Sequence, residues 1–194
     1  MSSPVDLHPA AERLARLVEA VPDDALEWPT PCARYTVAAL LDHVGGSIAA
    51  FQAAAIKKPL AGGPSGDGSR LDAQWRSTMP REARALAEAW DDPEAWAGMT
   101  AAGGVDLPGD VAAIVALDEL VIHGWDLAKA IDQPASYDGP GLDEVLRMTT
   151  QFRAGGAEGL FGQEVAVPQD APTFDRILGV TGRDPNWTSP RSSA

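Results

Sequence analysis

Residues 117–130, LDELVIHGWDLAKA, decide how the chain can fold, because they place a glutamate and a histidine inside an apolar helical pattern. Glu119 and His123 are four residues apart, so their side chains lie on one face of a helix, one turn apart. The large apolar residues fall on another side of that helix: Ile114, Leu117, Leu120, Val121 and Ile131. The pattern predicts a buried helix over about 109–131 that carries a polar pair.

The face that holds this polar pair is otherwise built from small residues. Ala112, Ala116 and Ala130 share it, where a helix that only filled a core would carry Leu or Ile. Small side chains leave room for a ligand next to polar groups. Asp126, three residues after His123, lies on the same face.

A second histidine lies inside another apolar helical pattern. Val37, Leu40, Leu41, Val44, Ile48 and Phe51 repeat at helical spacing after Thr36, a suitable N-cap. Burying an imidazole without a partner costs a few kcal/mol, so His43 and His123 each need a hydrogen bond, a charge or a metal. Gly45 and Gly46 each cost about 1 kcal/mol relative to Ala inside a helix, which indicates a close approach there.

His43, Glu119 and His123 together supply two imidazoles and one carboxylate. This is a known three-ligand set for catalytic zinc and for open-sided iron or nickel sites, in which further positions take water or substrate. Asp126 is a candidate for orienting a ligand imidazole from outside the ligand set. The structural alternative for Glu119 and His123 is an intrahelical ion pair. The sequence has no zincin helix motif, glycine-rich phosphate loop or serine elbow.

The remaining sequence predicts an all-α protein. Helical patterns cover residues 8–20, 36–57, 69–90, 109–131, 141–154 and 171–182. Pro80 either kinks the third helix or begins its second half. A Gly-Gly turn within 96–109 predicts a short hairpin, and EVAVP at 164–168 resembles a strand. Long amphipathic helices with long connections predict a four-helix bundle over 1–160, with a short C-terminal extension packed on it over 161–194.

Composition excludes several classes of function. Of 194 residues, 28 are acidic and 15 basic, and the net charge of -13 disfavours binding to nucleic acid. No run approaches the roughly 18 apolar residues of a membrane span, and MSSPVDLHPA lacks the features of a signal peptide. We therefore expect a cytoplasmic protein that does not bind membranes.

The single cysteine and three of the tryptophans are interpreted as packing residues. Cys32 cannot form an internal disulfide, in agreement with a reducing compartment. Arg34 is the only adjacent cation that could activate its thiol, so a small apolar residue in a proline-rich connection is the better interpretation. Trp28, Trp125 and Trp187 are likewise expected to pack rather than to bind a ligand. His8 is expected at the surface.

Three strings carry a resemblance to a known family: WPTPCARYTVAALLDHVGG (28–46), ELVIHGWDLAKA (119–130) and GRDPNW (182–187). The chain resembles the DinB-like four-helix-bundle superfamily. More specifically, it resembles the actinobacterial branch related to the metal-binding domain of mycothiol-dependent maleylpyruvate isomerase. The resemblance covers nearly the whole chain and implies a metal triad on His43, Glu119 and His123.

The resemblance also implies a function. It points to a divalent metal ion, with zinc favoured over nickel or iron, and to mycothiol as a co-substrate. The expected activity is a thiol-dependent transferase or isomerase-like reaction on a small electrophilic substrate. The alternative is a non-catalytic bundle that binds a small molecule or partner and has a structural or inert metal site. Exposed helix faces would allow a homodimer.

Overall fold

The computed structural model describes residues 5–156 and 160–190. The predicted bundle begins at residue 1 and the predicted extension ends at residue 194, and both of these residues lie outside the described ranges. The predicted boundary at 160/161 closely follows residues that also lie outside them. The division into a bundle and an extension therefore stays a prediction. Residues 1–4 of the N-terminal stretch MSSPVDLHPA also lie outside the described residues.

Four long helices build the core of the molecule. In chain order the elements are α1 (His8–Glu19), α2 (Val37–Ala55), α3 (Trp75–Ala89), α4 (Pro93–Trp96), β1 (Met99–Ala102), β2 (Val105–Pro108), α5 (Gly109–Ala130), α6 (Leu142–Ala154) and α7 (Thr173–Val180). Helix α1 packs on α3 and α5, and α2 packs on the same two helices. Each apolar stripe thus faces a common interior, and the predicted all-α bundle with a short hairpin is confirmed.

Helix α2 carries the first half of the predicted site. The hydroxyl of Thr36 accepts a hydrogen bond from the backbone N–H of Ala39, so Thr36 is the N-cap that the sequence predicts. Within the described part of the chain, α2 is the one helix long and apolar enough to cross a membrane. Most of it is buried inside the bundle, as is typical of a core helix.

The hairpin holds α2 and α5 together at one end of the bundle. Strands β1 and β2 pair antiparallel, with Ala102 opposite Val105. Gly103 and Gly104 form the turn with positive φ values of 60° and 80°, which suits the right-handed twist of a two-residue hairpin. The hydroxyl of Thr100 donates to the carbonyl of Ala54 at 2.7 Å and fastens β1 to the end of α2.

The third helix differs from the prediction at its start. It begins at Trp75 rather than near Ser69, because two aspartates cap turns in the preceding segment. Asp67 accepts from the N–H of Ser69, and Asp72 accepts from the N–H of Gln74 at 2.6 Å. Pro80 lies inside α3 and does not end it.

Two further segments also differ from expectation. Residues 164–168 form no strand, and the N–H of Val165 instead donates to the carbonyl of Gly179 at 3.0 Å. The short helix α4 was not predicted; Asp92 caps it by accepting from the N–H of Glu94. The tail is tied to the bundle because Phe174 and Ile177 of α7 are buried in the main core.

Candidate metal centre

The three predicted ligands meet between α2 and α5. Nε2 of His43 lies 3.2 Å from Oε2 of Glu119, and Nε2 of His123 lies 3.7 Å from the same oxygen. The two imidazole rings are edge to face, with centroids 4.8 Å apart. The ligand atoms of the three residues all lie within 4.8 Å of one another. The long separation in sequence is bridged because α2 and α5 are neighbours in the bundle.

The far side of each imidazole is held by an acceptor. Nδ1 of His43 lies 3.1 Å from the carbonyl oxygen of Ser65, and Nδ1 of His123 lies 3.0 Å from Oδ2 of Asp126. A carbonyl or an ionised carboxylate can only accept, so Nδ1 carries the proton in both rings. Each Nε2 is left facing Glu119, which is the arrangement of histidines that bind metals.

Two of the three distances between the candidate ligand atoms fit a tetrahedral ion. Ligand atoms about 2.1 Å from zinc lie about 3.4 Å from one another in a tetrahedron. The distances of 3.2 Å and 3.7 Å from Oε2 of Glu119 to the two Nε2 atoms bracket that value. The described residues supply three donors and no cysteine to this cluster. A tetrahedral ion held here would keep one position for another molecule.

The electrostatics of the centre favour a charged glutamate. Burial raises the pKa of Glu119, but the hydrogen bond from His43, the charges of both imidazoles and the hydroxyl of Ser47 outweigh burial and lower that pKa to about 2. The hydroxyl of Ser47 donates to Oε2 of Glu119 at 2.8 Å. Burial lowers the pKa of His43, yet its hydrogen bond and attraction to Glu119 are stronger, so the pKa is raised overall. The centre thus holds one carboxylate at neutral pH.

Asp126, predicted to orient a ligand, contacts His123 from a fully buried position. Burial raises its pKa, but the charge of Arg183 and the hydrogen bond from His123 lower it overall, so Asp126 is ionised. Nη2 of Arg183 donates to Oδ2 of Asp126 at 2.9 Å. Asp126 therefore bridges His123 of the cluster to Arg183, which comes from the C-terminal part of the chain.

A glycine-rich loop covers the His43 side of the centre. Ser65 offers its carbonyl to His43 and its hydroxyl to Asp42. A side chain at Gly46 would place its Cβ 2.9 Å from Cβ of Pro64, so the loop can approach α2 only because residue 46 is glycine. This explains one of the paired glycines. A Cβ at Gly45 would meet only the end of a flexible side chain, at 3.3 Å.

The predicted small face is only partly open. Ala116 lines a small cavity together with Glu119, whereas Ala112 and Ala130 are packed in the core away from it. The other residues around the cavity are Val44, Ser47, Ile48, Phe51, Leu86 and Leu120. The room next to the ligands therefore comes from one alanine rather than three.

Other residues surround the centre without joining it. The ring of Tyr35 lies 5.3 Å from that of His43, centroid to centroid. Burial raises the pKa of the Cys32 thiol, so the packing interpretation of this residue is the one that its surroundings favour. His8 is exposed and paired with Asp91, as expected for a surface residue. The tryptophans at 28, 125 and 187 pack in or against the core.

Sequence reasoning missed three polar partners of the centre. Ser65 lies in the glycine-rich loop at residues 61–69, and Arg183 lies in the string GRDPNW (182–187); neither segment has a helical periodicity. Asp118 is buried beside Glu119, and its Oδ1 has no hydrogen-bond partner within the described residues. Burial and the charge of Glu119 raise the pKa of Asp118 to about 8. An acidic residue inside an apolar helix is the one signal that could have drawn attention to Asp118.

Comparisons with known proteins agree with this architecture. Over 93% of this chain and 88% of the other, the fold is similar to the crystal structure of the mycothiol-dependent maleylpyruvate isomerase, with a TM-score of 0.64 and 15% identity. Uncharacterized protein Rv0738 of Mycobacterium tuberculosis strain H37Rv is 28% identical over 185 residues, covering 90% of this chain and 93% of the relative. Uncharacterized protein MT0763 of strain CDC 1551 matches to the same extent.

The family comparison covers the bundle and both halves of the centre. The family described as mycothiol maleylpyruvate isomerase N-terminal domain matches residues 7–128, which include all three residues of the cluster. That match spans more than half of the chain. The chain therefore belongs to the mycothiol maleylpyruvate isomerase N-terminal domain family.

Proposed function

We propose that the protein binds one divalent metal ion through His43, Glu119 and His123 and uses it in a thiol-dependent transferase or isomerase-like reaction. The observation that carries this proposal is the convergence of exactly these donor types from two helices, with Nε2 of each imidazole facing one carboxylate oxygen. Zinc suits two imidazoles and a carboxylate best, and nickel or iron could occupy the same donors.

The protein's own residues prepare the centre for an ion. Ser65 and Asp126 accept from the two Nδ1 atoms, so both rings are already turned with Nε2 inward. Glu119 supplies the negative charge, since its pKa is lowered to about 2. The three side chains therefore need little reorganisation, and the proton that His43 holds below its raised pKa must leave.

The proposed chemistry follows from having three protein ligands. A divalent ion, when bound, acts as a Lewis acid and lowers the pKa of a thiol or water that reaches its open position. The match to a family named for a mycothiol-dependent isomerase supports a thiol of the mycothiol type as the molecule that arrives. The substrate would be a small electrophile, and we propose a cytoplasmic location, where such thiols are kept reduced.

A titration of the cobalt-substituted protein with mycothiol tests this proposal. Coordination of a thiolate to cobalt adds a sulfur-to-metal charge-transfer band, which a centre with only nitrogen and oxygen donors lacks. We expect a new band that saturates with thiol, in wild type and in Cys32→Ser alike. Absence of the band at saturating thiol in both proteins contradicts the thiol-dependent function.

One observation favours a second account, in which the cluster is structural or its metal inert. Oε2 of Glu119 already accepts from Ser47 and lies next to His43, so the polar groups satisfy one another. A non-catalytic bundle would then bind a small molecule or partner elsewhere. The cobalt titration separates the accounts, because an inert centre takes up cobalt and shows no thiol band.

A further inference from the structure

Arg183 comes from the tail and reaches the centre through a defined helix ending. Helix α7 closes with the N–H of Gly182 bonded to the carbonyl of Gly179 and the N–H of Arg183 bonded to that of Leu178 at 2.7 Å. This is a Schellman motif, which needs a left-handed residue after the helix. Gly182 supplies it with φ of +84°. The backbone position of Arg183 is therefore set by the end of α7, independently of its side-chain contacts.

All three nitrogens of the Arg183 side chain donate a hydrogen bond in this position. Nη2 and Nε donate to the two oxygens of Asp126 at 2.9 Å and 3.4 Å. Nη1 donates to the carbonyl of Thr181 at 2.9 Å. The residue is only 8% exposed, so its charge is compensated by Asp126 within the protein rather than by solvent.

We propose that Arg183 is a positioning residue of the metal centre, which holds Asp126 so that His123 presents Nε2 to the ion. The inference rests on the proposed metal function and goes beyond it, because it makes the C-terminal tail a structural part of the centre. One oxygen of Asp126, Oδ2, accepts from both Nη2 of Arg183 and Nδ1 of His123. Any rotation of the carboxylate away from Arg183 therefore also moves the acceptor of His123.

The two contacts of Asp126 have separate roles. Its contact with His123 joins residues on the same helix, three apart, which α5 alone can form. Its contact with Arg183 comes from another part of the chain and fixes which way the carboxylate points. Losing Arg183 leaves Asp126 buried without a cation, and its carboxylate is then free to turn toward other donors.

The tail offers a matched control for this effect. Arg153 of α6 also fastens the tail, since Nε donates to the carbonyl of Val180 and Nη2 to that of Gly162, both at 2.7 Å. Neither of these hydrogen bonds involves Asp126. Arg153→Met should loosen the attachment of the tail and leave the carboxylate of Asp126 in place.

The experiment measures zinc affinity by competition with a chromogenic chelator in wild type, Arg183→Met, Arg183→Lys and Arg153→Met. We expect Arg183→Met to weaken zinc binding about 10- to 100-fold, the usual range for a residue that orients a ligand. Arg183→Lys keeps the charge but not the two hydrogen bonds to the two oxygens of Asp126, so we expect a smaller loss of zinc affinity in this variant. Arg153→Met should bind as wild type does. If Arg183→Met does not fold, unchanged affinity in Arg183→Lys overturns the inference.

A second readout uses the metal-free protein. Long-range ¹H–¹⁵N spectra report which ring nitrogen of His123 is protonated. We expect a single Nδ1–H tautomer in wild type and Arg153→Met, and a mixture in Arg183→Met. A wild type that binds no zinc contradicts the proposed function, and the tautomer spectra still decide the role of Arg183. Equal spectra in wild type and Arg183→Met, or equal zinc loss in Arg153→Met and Arg183→Met, overturn the inference.

Discussion

Nε2 of His43 lies 3.2 Å from Oε2 of Glu119, across the interface between α2 and α5. Below the raised pKa of His43, this contact holds a proton at the position where an ion would bind. Proton and metal then compete for the same imidazole nitrogen. The contact links the stability of the metal-free bundle to pH and links metal affinity to pH in the opposite sense.

The first prediction concerns metal affinity and pH. The pKa of His43 is raised by Glu119, so protonated His43 persists above the ordinary value of about 6.5. Below that raised pKa, zinc affinity should fall about tenfold for each pH unit, because binding must displace one proton. Chelator competition between pH 6 and 9 measures this. A flat profile below pH 7 would falsify the assignment of His43 as a ligand.

The second prediction concerns the stability of the metal-free protein. A folded-state pKa of His43 above the unfolded value gives a contribution that is complete below about pH 6.5 and is lost as pH rises through the raised pKa. The free energy of unfolding in urea should therefore fall over that window. Glu119→Gln removes the charge that raises the pKa, so the fall should shrink in this variant. An identical fall in Glu119→Gln would assign the effect to another group.

The third prediction uses the paired glycines of α2. Gly46→Ala places Cβ against Pro64 at 2.9 Å, so the loop that holds His43 must shift, and overpacking of this kind costs about 1–3 kcal/mol. Gly45→Ala meets only Cε of Met79 and gains up to about 1 kcal/mol of helix propensity. Urea unfolding compares the two variants. Equal stability changes would mean that the loop does not depend on Gly46.

The fourth prediction concerns the buried pair of Asp126 and Arg183. Removing one partner leaves the other charge buried, which typically costs about 3–5 kcal/mol. Asp126→Ala and Arg183→Met should each lower the free energy of unfolding by about that amount, and the double variant should lose clearly less than the sum. Urea unfolding of the metal-free wild type, the two single variants and the double variant gives the four free energies of this double-mutant cycle. Additive losses would show that the two side chains act independently.

The fifth prediction concerns Cys32. Burial raises the pKa of its thiol, so at pH 8 it should react with iodoacetamide more slowly than a free thiol does. Cys32→Ser should bind zinc as wild type does. Mass spectrometry follows the alkylation. If Cys32 is alkylated faster than free glutathione, its thiol is activated and the packing interpretation is wrong.

The two histidines of the cluster could be found from sequence because they lie within strongly apolar helical patterns. A polar side chain at such a position requires a partner. The sequence also indicates that the helices form a bundle. It does not indicate the angle between α2 and α5 that brings Nε2 of His43 to Glu119. That angle depends on packing between α2 and α5 along their whole length.

The partners of the ligands could not be found in the same way. Ser65 acts through its backbone carbonyl, which every residue possesses, and Arg183 acts from a position set by a helix ending. Neither feature has a periodic signal. The late start of α3 also depends on a local hydrogen bond without a periodic signal. Asp72 caps a turn there, and this turn competes with helix formation. Side-chain to backbone hydrogen bonds thus decided most of the differences between prediction and structure.

Elemental analysis of protein purified without chelator and then loaded with zinc decides whether His43, Glu119 and His123 form one metal site. We expect one equivalent of metal in wild type, His8→Ala and Cys32→Ser. We expect background levels in His43→Ala, Glu119→Ala and His123→Ala, with helical circular dichroism retained because the apolar stripes of the bundle carry its stability. Metal well below one equivalent in wild type, or one equivalent retained when any of the three cluster residues is removed, would contradict a single site built from these side chains.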